Sequence, residues 1–117
     1  MFKCDTFTAK YISHSTVKDY EGKNAIRIVF HYTNNDKSAQ EFALAAYVMV
    51  FQNGVELDNA MLDDYKKEDN NAIKKIKPGT AIKVASSFVL EDKSDVQLEI
   101  SDLYSPSGAK LTKTLKL

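Results

Sequence analysis

The histidines and the cysteine are the first residues to test for chemistry, because they supply most zinc ligands and many catalytic groups. The chain contains two histidines, His14 and His31, and a single cysteine, Cys4. A zinc site needs at least three ligands at workable spacing, and these residues match no ligand pattern. We therefore expect no native zinc site. We expect Cys4 to be a mobile or edge-strand thiol, since a lone cysteine excludes an intramolecular disulfide.

Motifs for nucleophilic catalysis and for nucleotide binding are also missing from the sequence. There is no Gly-x-Ser-x-Gly elbow, and nothing near Cys4 in the sequence would activate its thiol. The chain has 4 glycines, each isolated in a turn-like context rather than clustered at the spacing of a phosphate-binding loop. The sequence therefore predicts a protein that is not an enzyme and needs no cofactor.

An acidic segment is the next candidate, because oxygen-rich loops can bind calcium. Its carboxylates are Asp58, Asp63, Asp64, Glu68 and Asp69. They lack the regular one-three-five ligand spacing and the central glycine of a calcium loop, and interspersed lysines offset their charge. The segment is predicted to be a solvated loop, with calcium or ligand binding as the weaker alternative.

Tyrosine and lysine side chains in and after this loop are candidate contacts for a protein partner. Tyrosine is favoured at the centres of protein interfaces. The lysines after the loop form a local positive patch, which is a weak nucleic-acid signal without arginine or interleaved aromatic residues. The predicted partner contacts are Tyr65, Lys66, Lys67, Lys74, Lys75 and Lys77.

The overall composition narrows the class of protein. The chain has 117 residues, with 16 basic and 16 acidic side chains and a formal net charge of zero. This balance argues against a nucleic-acid or membrane-surface binder that works by bulk charge. The longest uncharged apolar run, Phe42 to Phe51, is too short to cross a bilayer. The hydrophobic share of 44% is typical of one globular domain, predicted over residues 1–117.

Most of the chain alternates between apolar and polar residues, with the period of two of half-buried strands. The alternation is clearest from Ile26 to Tyr32. It is also present over Phe7–Tyr11, Ile82–Leu90, Val96–Ile100 and Leu111–Leu117. The first and last of these strands are candidates for free sheet edges, which can bind a partner.

The run from Phe42 to Phe51 is apolar at both odd and even positions, which favours a central strand buried on two faces. The alanines at its start leave a short helix as the competing interpretation. Its β-branched and aromatic end leads into Asn53-Gly54, a strong hairpin signal, with a further strand at Val55 and Leu57.

Polar segments separate these strands. Turns are predicted at Asp19–Gly22, at Lys77–Thr80 and at Ser105–Gly108. Asp58–Asn71 is predicted to be a loop with one helical turn, after which Ile73 and Ile76 return to the core. His14 is expected after the first strand, exposed to solvent. About seven short strands with short turns predict an all-β, immunoglobulin-like antiparallel sandwich.

Four segments taken together resemble a known but uncharacterised family. They are Asp19–Lys23, Thr33–Asn35, Phe51–Leu57 (Phe-Gln-Asn-Gly-Val-Glu-Leu) and Lys77–Thr80. In this order they are similar to the immunoglobulin-like, telokin-like domain of Gram-positive bacterial lipoproteins and related phage proteins. The similarity extends roughly from Phe7 to Ile100.

The resemblance implies a β-sandwich with a non-catalytic role, often at the cell envelope. Envelope members carry a signal peptide, a lipid-attachment cysteine and a polar linker, whereas only three residues precede Cys4. The leading hypothesis is a protein-binding module of a lipoprotein-type family at the envelope. The alternative is a small phage-encoded inhibitor of a host defence protein, of the anti-CRISPR type, in the host cytoplasm.

Overall fold

A computed structural model describes residues 1–102 and 110–117 of the chain. Within them, the elements in chain order are β1 (Phe2–Lys3), β2 (Phe7–Lys18), β3 (Asn24–Asn34), α1 (Phe42–Ala45), β4 (Ala46–Gln52), β5 (Val55–Glu56), α2 (Lys67–Asn71), β6 (Ala81–Val89), β7 (Val96–Asp102) and β8 (Lys110–Leu115). They form two antiparallel four-stranded sheets, β1-β2-β3-β6 and β5-β4-β7-β8. The predicted all-β antiparallel sandwich is confirmed, and it is consistent with an immunoglobulin-like architecture. β5 corresponds to the strand predicted at Val55 and Leu57, and β1 adds to the predicted strands.

The core lies between the inner faces of the two sheets. The alternating residues of β3 and β7 point into it, because each strand presents every second side chain to the same face. Their side chains are at most 1% exposed: Ile26, Ile28, Phe30, Tyr32, Val96, Leu98 and Ile100. These are the residues in which the sequence shows its clearest period of two.

A β-bulge adjusts the register between β2 and β3. The pairing runs from Phe7 opposite Asn34 to Lys18 opposite Asn24, with a shift between Tyr11 and Ser13. Because the extra residue switches the parity of β2, the side chain of His14, and not that of Ser13, lies on the same face as Tyr11 and as its cross-strand partner Ile28. His14 was predicted to follow the first strand, and this was wrong, since the bulge lets β2 continue to Lys18.

The predicted turns form as expected. The carboxylate of Asp19 accepts hydrogen bonds from the backbone N–H groups of Glu21 at 2.9 Å and Lys23 at 2.8 Å. Asn53 and Gly54 have φ angles of 53° and 81°, which match the two left-handed positions of a type I′ hairpin. In the turn Lys77–Thr80, the last N–H donates to the first carbonyl at 3.1 Å. The predicted turn Ser105–Gly108 lies outside the described residues.

Phe42–Phe51 was predicted to be one strand, and its first part is not. Phe42–Ala45 form the helical turn α1, and β4 begins at Ala46. The alanine-rich start follows helix propensity and the β-branched end follows strand propensity. β4 is also not buried on both faces, because Tyr47 is 43% exposed.

Two apolar residues are more exposed than predicted. Ile76 is buried, but Ile73 is 64% exposed. The last strand ends at Leu115, and Leu117 beyond it is 44% exposed. Ile73 follows the end of α2 and Leu117 follows the end of β8. At both positions no helix or sheet determines which way the side chain points.

Candidate functional site

The acidic loop is attached to the outer face of the first sheet through Arg27. The Arg27 guanidinium donates from Nε to Asp69 Oδ1 and from Nη2 to Glu68 Oε1, both at 3.1 Å. The hydrogen bond from Arg27 lowers the pKa of the Glu68 carboxyl. Asp69 also accepts a hydrogen bond from the Lys66 N–H at 2.8 Å, at the start of α2. These two carboxylates hold the loop in place.

The same loop covers the outer edge of β6. The Ala60 N–H donates to the Ser87 carbonyl and the Val89 N–H donates to the Asp58 carbonyl, both at 2.9 Å. Further along, Asn71 Nδ2 donates to the Lys83 carbonyl at 3.1 Å. The edge of the first sheet therefore has hydrogen-bond partners along much of its length.

The facing edge of β4 lacks such a cover. β5 pairs with β4 only at Phe51 and Gln52, after which the Leu57 N–H donates to the Val50 carbonyl at 2.8 Å. Since backbone groups alternate in direction along a strand, Val48 points its N–H and C=O the same way as Val50. Within the described residues, no strand pairs with Val48 on this side.

A groove separates these two edges. It encloses a cavity of about 400 Å³ with Ala46 and Val48 on the β4 wall, Ser87 and Phe88 on the β6 wall, and Tyr65 on the loop. We call this cavity the β4–β6 groove. The Ser87 hydroxyl oxygen is buried there, and in the described part of the chain it has no hydrogen-bond partner.

Exposed apolar side chains line the groove. Tyr47 is 43%, Tyr65 is 50% and Ile73 is 64% exposed, and all three belong to its lining. The Tyr65 hydroxyl accepts a hydrogen bond from the Leu62 N–H at 3.1 Å, which orients its ring. Tyr65 was a predicted partner contact, whereas Tyr47 and Ile73 were not identified as contacts from the sequence.

The predicted lysine contacts lie at the two ends of α2. Lys66 precedes the helix and Lys67 begins it. Lys74, Lys75 and Lys77 follow it, and all five lysines are exposed. Lys75 also lines a second cavity, of about 230 Å³, beside α1.

The residues considered for zinc lie apart. His14 Nε2 is 2.7 Å from the Lys116 carbonyl, to which it donates its N–H, and Nδ1 is hydrogen-bonded to the Tyr11 hydroxyl at 2.5 Å. His14 therefore links β2 to the C-terminal segment. The Cys4 thiol is 3.6 Å from the Phe7 carbonyl. Among the residues with described positions, no group of three His, Cys, Asp or Glu side chains could hold a metal ion.

Two buried amides organise the loops, and neither was predicted from the sequence. Asn34 is fully buried and donates to the carbonyls of Ser38 at 3.0 Å and Ile76 at 2.8 Å. Gln52 is 2% exposed and accepts from the Glu91 N–H at 2.8 Å. Each lies at a position that continues the alternation of buried residues in its strand. A polar residue at such a position was the sequence signal that could have identified both amides.

In the described residues, the fold is a small β-sandwich domain in which the groove lies between the loop-covered edge of β6 and the uncovered part of β4 at Val48. The chain belongs to the family described as "Domain of unknown function (DUF5067)", whose model matches residues 1–102. No curated protein matches the chain in sequence. In the described residues, neither helix has the length and apolar character needed to cross a bilayer.

Solved structures from Gram-positive bacteria share the fold. A "putative lipoprotein" from Staphylococcus aureus has a TM-score of 0.75 at 15% identity, covering 96% of this chain and 84% of that one. A protein from Enterococcus faecalis has a TM-score of 0.72 at 18% identity, covering 99% and 92%. For a Bacillus subtilis protein with the same description as the first, the TM-score is 0.68 at 12% identity. The match covers 96% of this chain but only 37% of the Bacillus subtilis protein.

Proposed function

We propose that this domain is a non-catalytic protein-binding module of the kind found in Gram-positive envelope lipoproteins. The observation that carries the proposal is the β4–β6 groove, in which the exposed rings of Tyr47 and Tyr65 flank a cavity of about 400 Å³. Aromatic side chains beside a cavity are typical anchors of a protein interface. The structural similarity to lipoprotein folds supports the envelope setting.

Two of the polar groups in the groove lining serve structural roles, which also supports a non-catalytic function. The Asp69 carboxylate binds Arg27, and the Tyr65 hydroxyl binds the Leu62 N–H. Two of the carboxylates considered for calcium, Glu68 and Asp69, are bound to a guanidinium, so a bound cation would have to compete with Arg27. Protein binding is therefore preferred over calcium binding.

Site-specific photo-cross-linking tests the proposal. A benzophenone amino acid replaces Tyr65 in the full chain, and the matched control carries it at Thr112, an exposed position on β8. In host cells, we expect a cross-linked protein product from position 65 and none from position 112. Excess unmodified chain competes for this product, and excess of a Tyr47→Ser/Ile73→Ser variant does not.

Two results would contradict the proposal. One is a product at position 112 with none at position 65, which would place the interface on the opposite edge of the second sheet. The other is equal competition by the parent chain and the Tyr47→Ser/Ile73→Ser variant, which would show that the groove does not contribute to binding.

A further inference from the structure

The two sheets of the sandwich differ in charge. The four strands of the first sheet, β1, β2, β3 and β6, carry five lysine or arginine side chains and no aspartate or glutamate. In the second sheet, β5 and β7 contain acidic residues. Two of the five basic side chains are already bound, because Arg27 holds the carboxylates of α2 and Lys18 Nζ donates to Asn24 Oδ1 at 2.6 Å. The remaining three are Lys3, Lys10 and Lys83.

Strand pairing brings two of these lysines into one row on the outer face of the sheet. Lys10 of β2 is the register partner of His31 of β3, and His31 is the partner of Lys83 of β6. The adjacent residues Ala9 and Tyr32 are buried in the core, so the alternation of side chains places the row on the outer face. Directly paired residues on one face have Cβ atoms about 5 Å apart. All three side chains are exposed, and we call them the basic row.

No carboxylate of the described residues forms an ion pair with the basic row. Lys83 acts on Glu68 of α2 at longer range, but the hydrogen bond from Arg27 is the largest cause of the lowered pKa of that carboxyl. Two other acids near the face, Asp5 and Asp36, lie beyond the ends of β2 and β3. The two ammonium groups therefore repel each other across His31 without a paired anion in the fold. This arrangement favours an anion supplied from outside the chain.

Hydroxyl groups lie beside the basic row. Thr8 and Thr33 form the next outward pair towards the start of β2. Thr8 Oγ1 accepts a hydrogen bond from Asn35 Nδ2 at 2.7 Å, which leaves the Thr8 O–H available to donate to a ligand. Lys3 is the register partner of Thr8 and places a third ammonium group on this side. The outer face thus offers only cationic and neutral donors around the row.

These donors fit a phosphate group better than a carboxylate or a nucleic-acid strand. A phosphate group carries up to two negative charges and three acceptor oxygens, so one group can contact two neighbouring donors of the row. The row contains no arginine, whose planar fork is the usual bidentate partner of a carboxylate. The outward pairs on its two sides, Thr8–Thr33 and Ser13–Val29, contain no aromatic ring on which a base could stack.

We propose that the outer face of the first sheet binds a multivalent phosphate anion along the basic row. Lys10 and Lys83 supply the positive charge, His31 donates an N–H between them, and the Thr8 hydroxyl donates from the next pair. The row extends over two strand spacings of about 4.8 Å each, so a chain of linked phosphate groups can contact both lysines at once. None of these residues lines the β4–β6 groove, so the site goes beyond the proposed function and is independent of it.

Sodium tripolyphosphate is the probe for an NMR titration of the full chain at low ionic strength. At millimolar probe, we expect shifts of the Lys10, His31 and Lys83 amides and of the His31 ring signals. Citrate is the carboxylate comparison, because it also carries several negative charges, and we expect it to bind more weakly. Added salt weakens binding of tripolyphosphate, because exposed charges are screened.

A pair of double variants separates the basic row from net charge. Lys10→Gln/Lys83→Gln is expected to weaken binding by about fivefold for each lysine, the upper value for one exposed ion pair. Its urea midpoint stays at or above the parental one, because two repelling charges are removed. The matched control, Lys93→Gln/Lys116→Gln, changes the net charge equally at exposed positions outside the row and keeps the parental affinity. Lys10→Arg/Lys83→Arg retains binding, because both charges remain.

Four outcomes overturn the inference. If millimolar tripolyphosphate shifts no amide of the first sheet, the face does not bind phosphate. If the control double variant loses as much affinity as Lys10→Gln/Lys83→Gln, binding follows net charge alone. If citrate binds as tightly as tripolyphosphate, the face does not select phosphate. If an oligothymidylate of equal charge binds more tightly, bases contribute and the ligand is a nucleic acid. The cross-linking at position 65 decides the proposed function whatever the result here.

Discussion

Replacing Arg27 with methionine tests whether the ion pairs hold α2 and its loop on the sheet. The Arg27 side chain is 10% exposed, and those of its partners Asp69 and Glu68 are 7% and 31% exposed. Arg27→Met leaves Asp69 almost buried without its cation, and among the described residues only the Lys66 N–H continues to donate to it.

The size of the effect follows from this burial. Removing one partner of a fully buried ion pair costs about 3–5 kcal/mol. Because Asp69 keeps one donor and Glu68 is partly exposed, we expect a loss somewhat below this range, about 2–3 kcal/mol in the free energy of unfolding. The matched control is Lys110→Met, whose ion pair with Glu99 at 3.2 Å has a lysine side chain that is 52% exposed. That surface pair is worth about 0–1 kcal/mol.

Urea denaturation measures both variants against the parent. The predicted result is a clear fall in the midpoint for Arg27→Met, a small or absent change for Lys110→Met, and similar slopes for all three proteins. The triple variant Arg27→Met/Glu68→Gln/Asp69→Asn is expected to regain part of the loss, because it leaves no buried carboxylate unpaired. If Arg27→Met unfolds within about 0.5 kcal/mol of the parent, the range of most neutral surface substitutions, the ion pairs do not anchor the loop.

The remaining predictions concern single residues, all measured as changes in the free energy of unfolding. Gly54→Ala costs about 1–2 kcal/mol, because its φ of 81° strains any residue with a Cβ while the space around it is open; no loss would contradict the hairpin geometry. Gln52→Met costs about 2–3 kcal/mol, since it leaves buried loop groups without partners, and an unchanged midpoint would refute this. Tyr32→Phe is neutral or slightly stabilising, because its buried hydroxyl has no partner in the described residues and burial raises its pKa. For Glu68 the folded pKa is lowered, so its contribution is present above the unfolded carboxyl pKa and is lost as the pH falls through the folded pKa. Arg27→Met should abolish this part of the acid dependence, and an identical pH profile would contradict it.

The central strands were predictable from the sequence because burial on one face imposes a strict alternation. Ile26 to Tyr32 and Val96 to Ile100 show that alternation, and both strands lie where predicted. Phe42–Ala45 were not predictable in the same way, because alanine and phenylalanine fit a buried helical turn and a buried strand equally well.

The groove itself could be predicted only in part. Tyr65 was identified because an exposed aromatic residue in a polar loop is a typical interface residue. The free edge at Val48 depends on the shortness of β5, and the cavity depends on Ser87 and Phe88 from a distant strand. No local pattern encodes either of these, since both arise from how the loop crosses between the two sheets.

Hydrogen–deuterium exchange of the complex with the cross-linked partner tests the central claim most directly. The account predicts that partner binding slows exchange of the amides between residues 46 and 50, with additional protection in the loop that carries Tyr65. Protection confined to β8 (Lys110–Leu115), or a complex that leaves the Val48 amide exchanging as in the free chain, would contradict it.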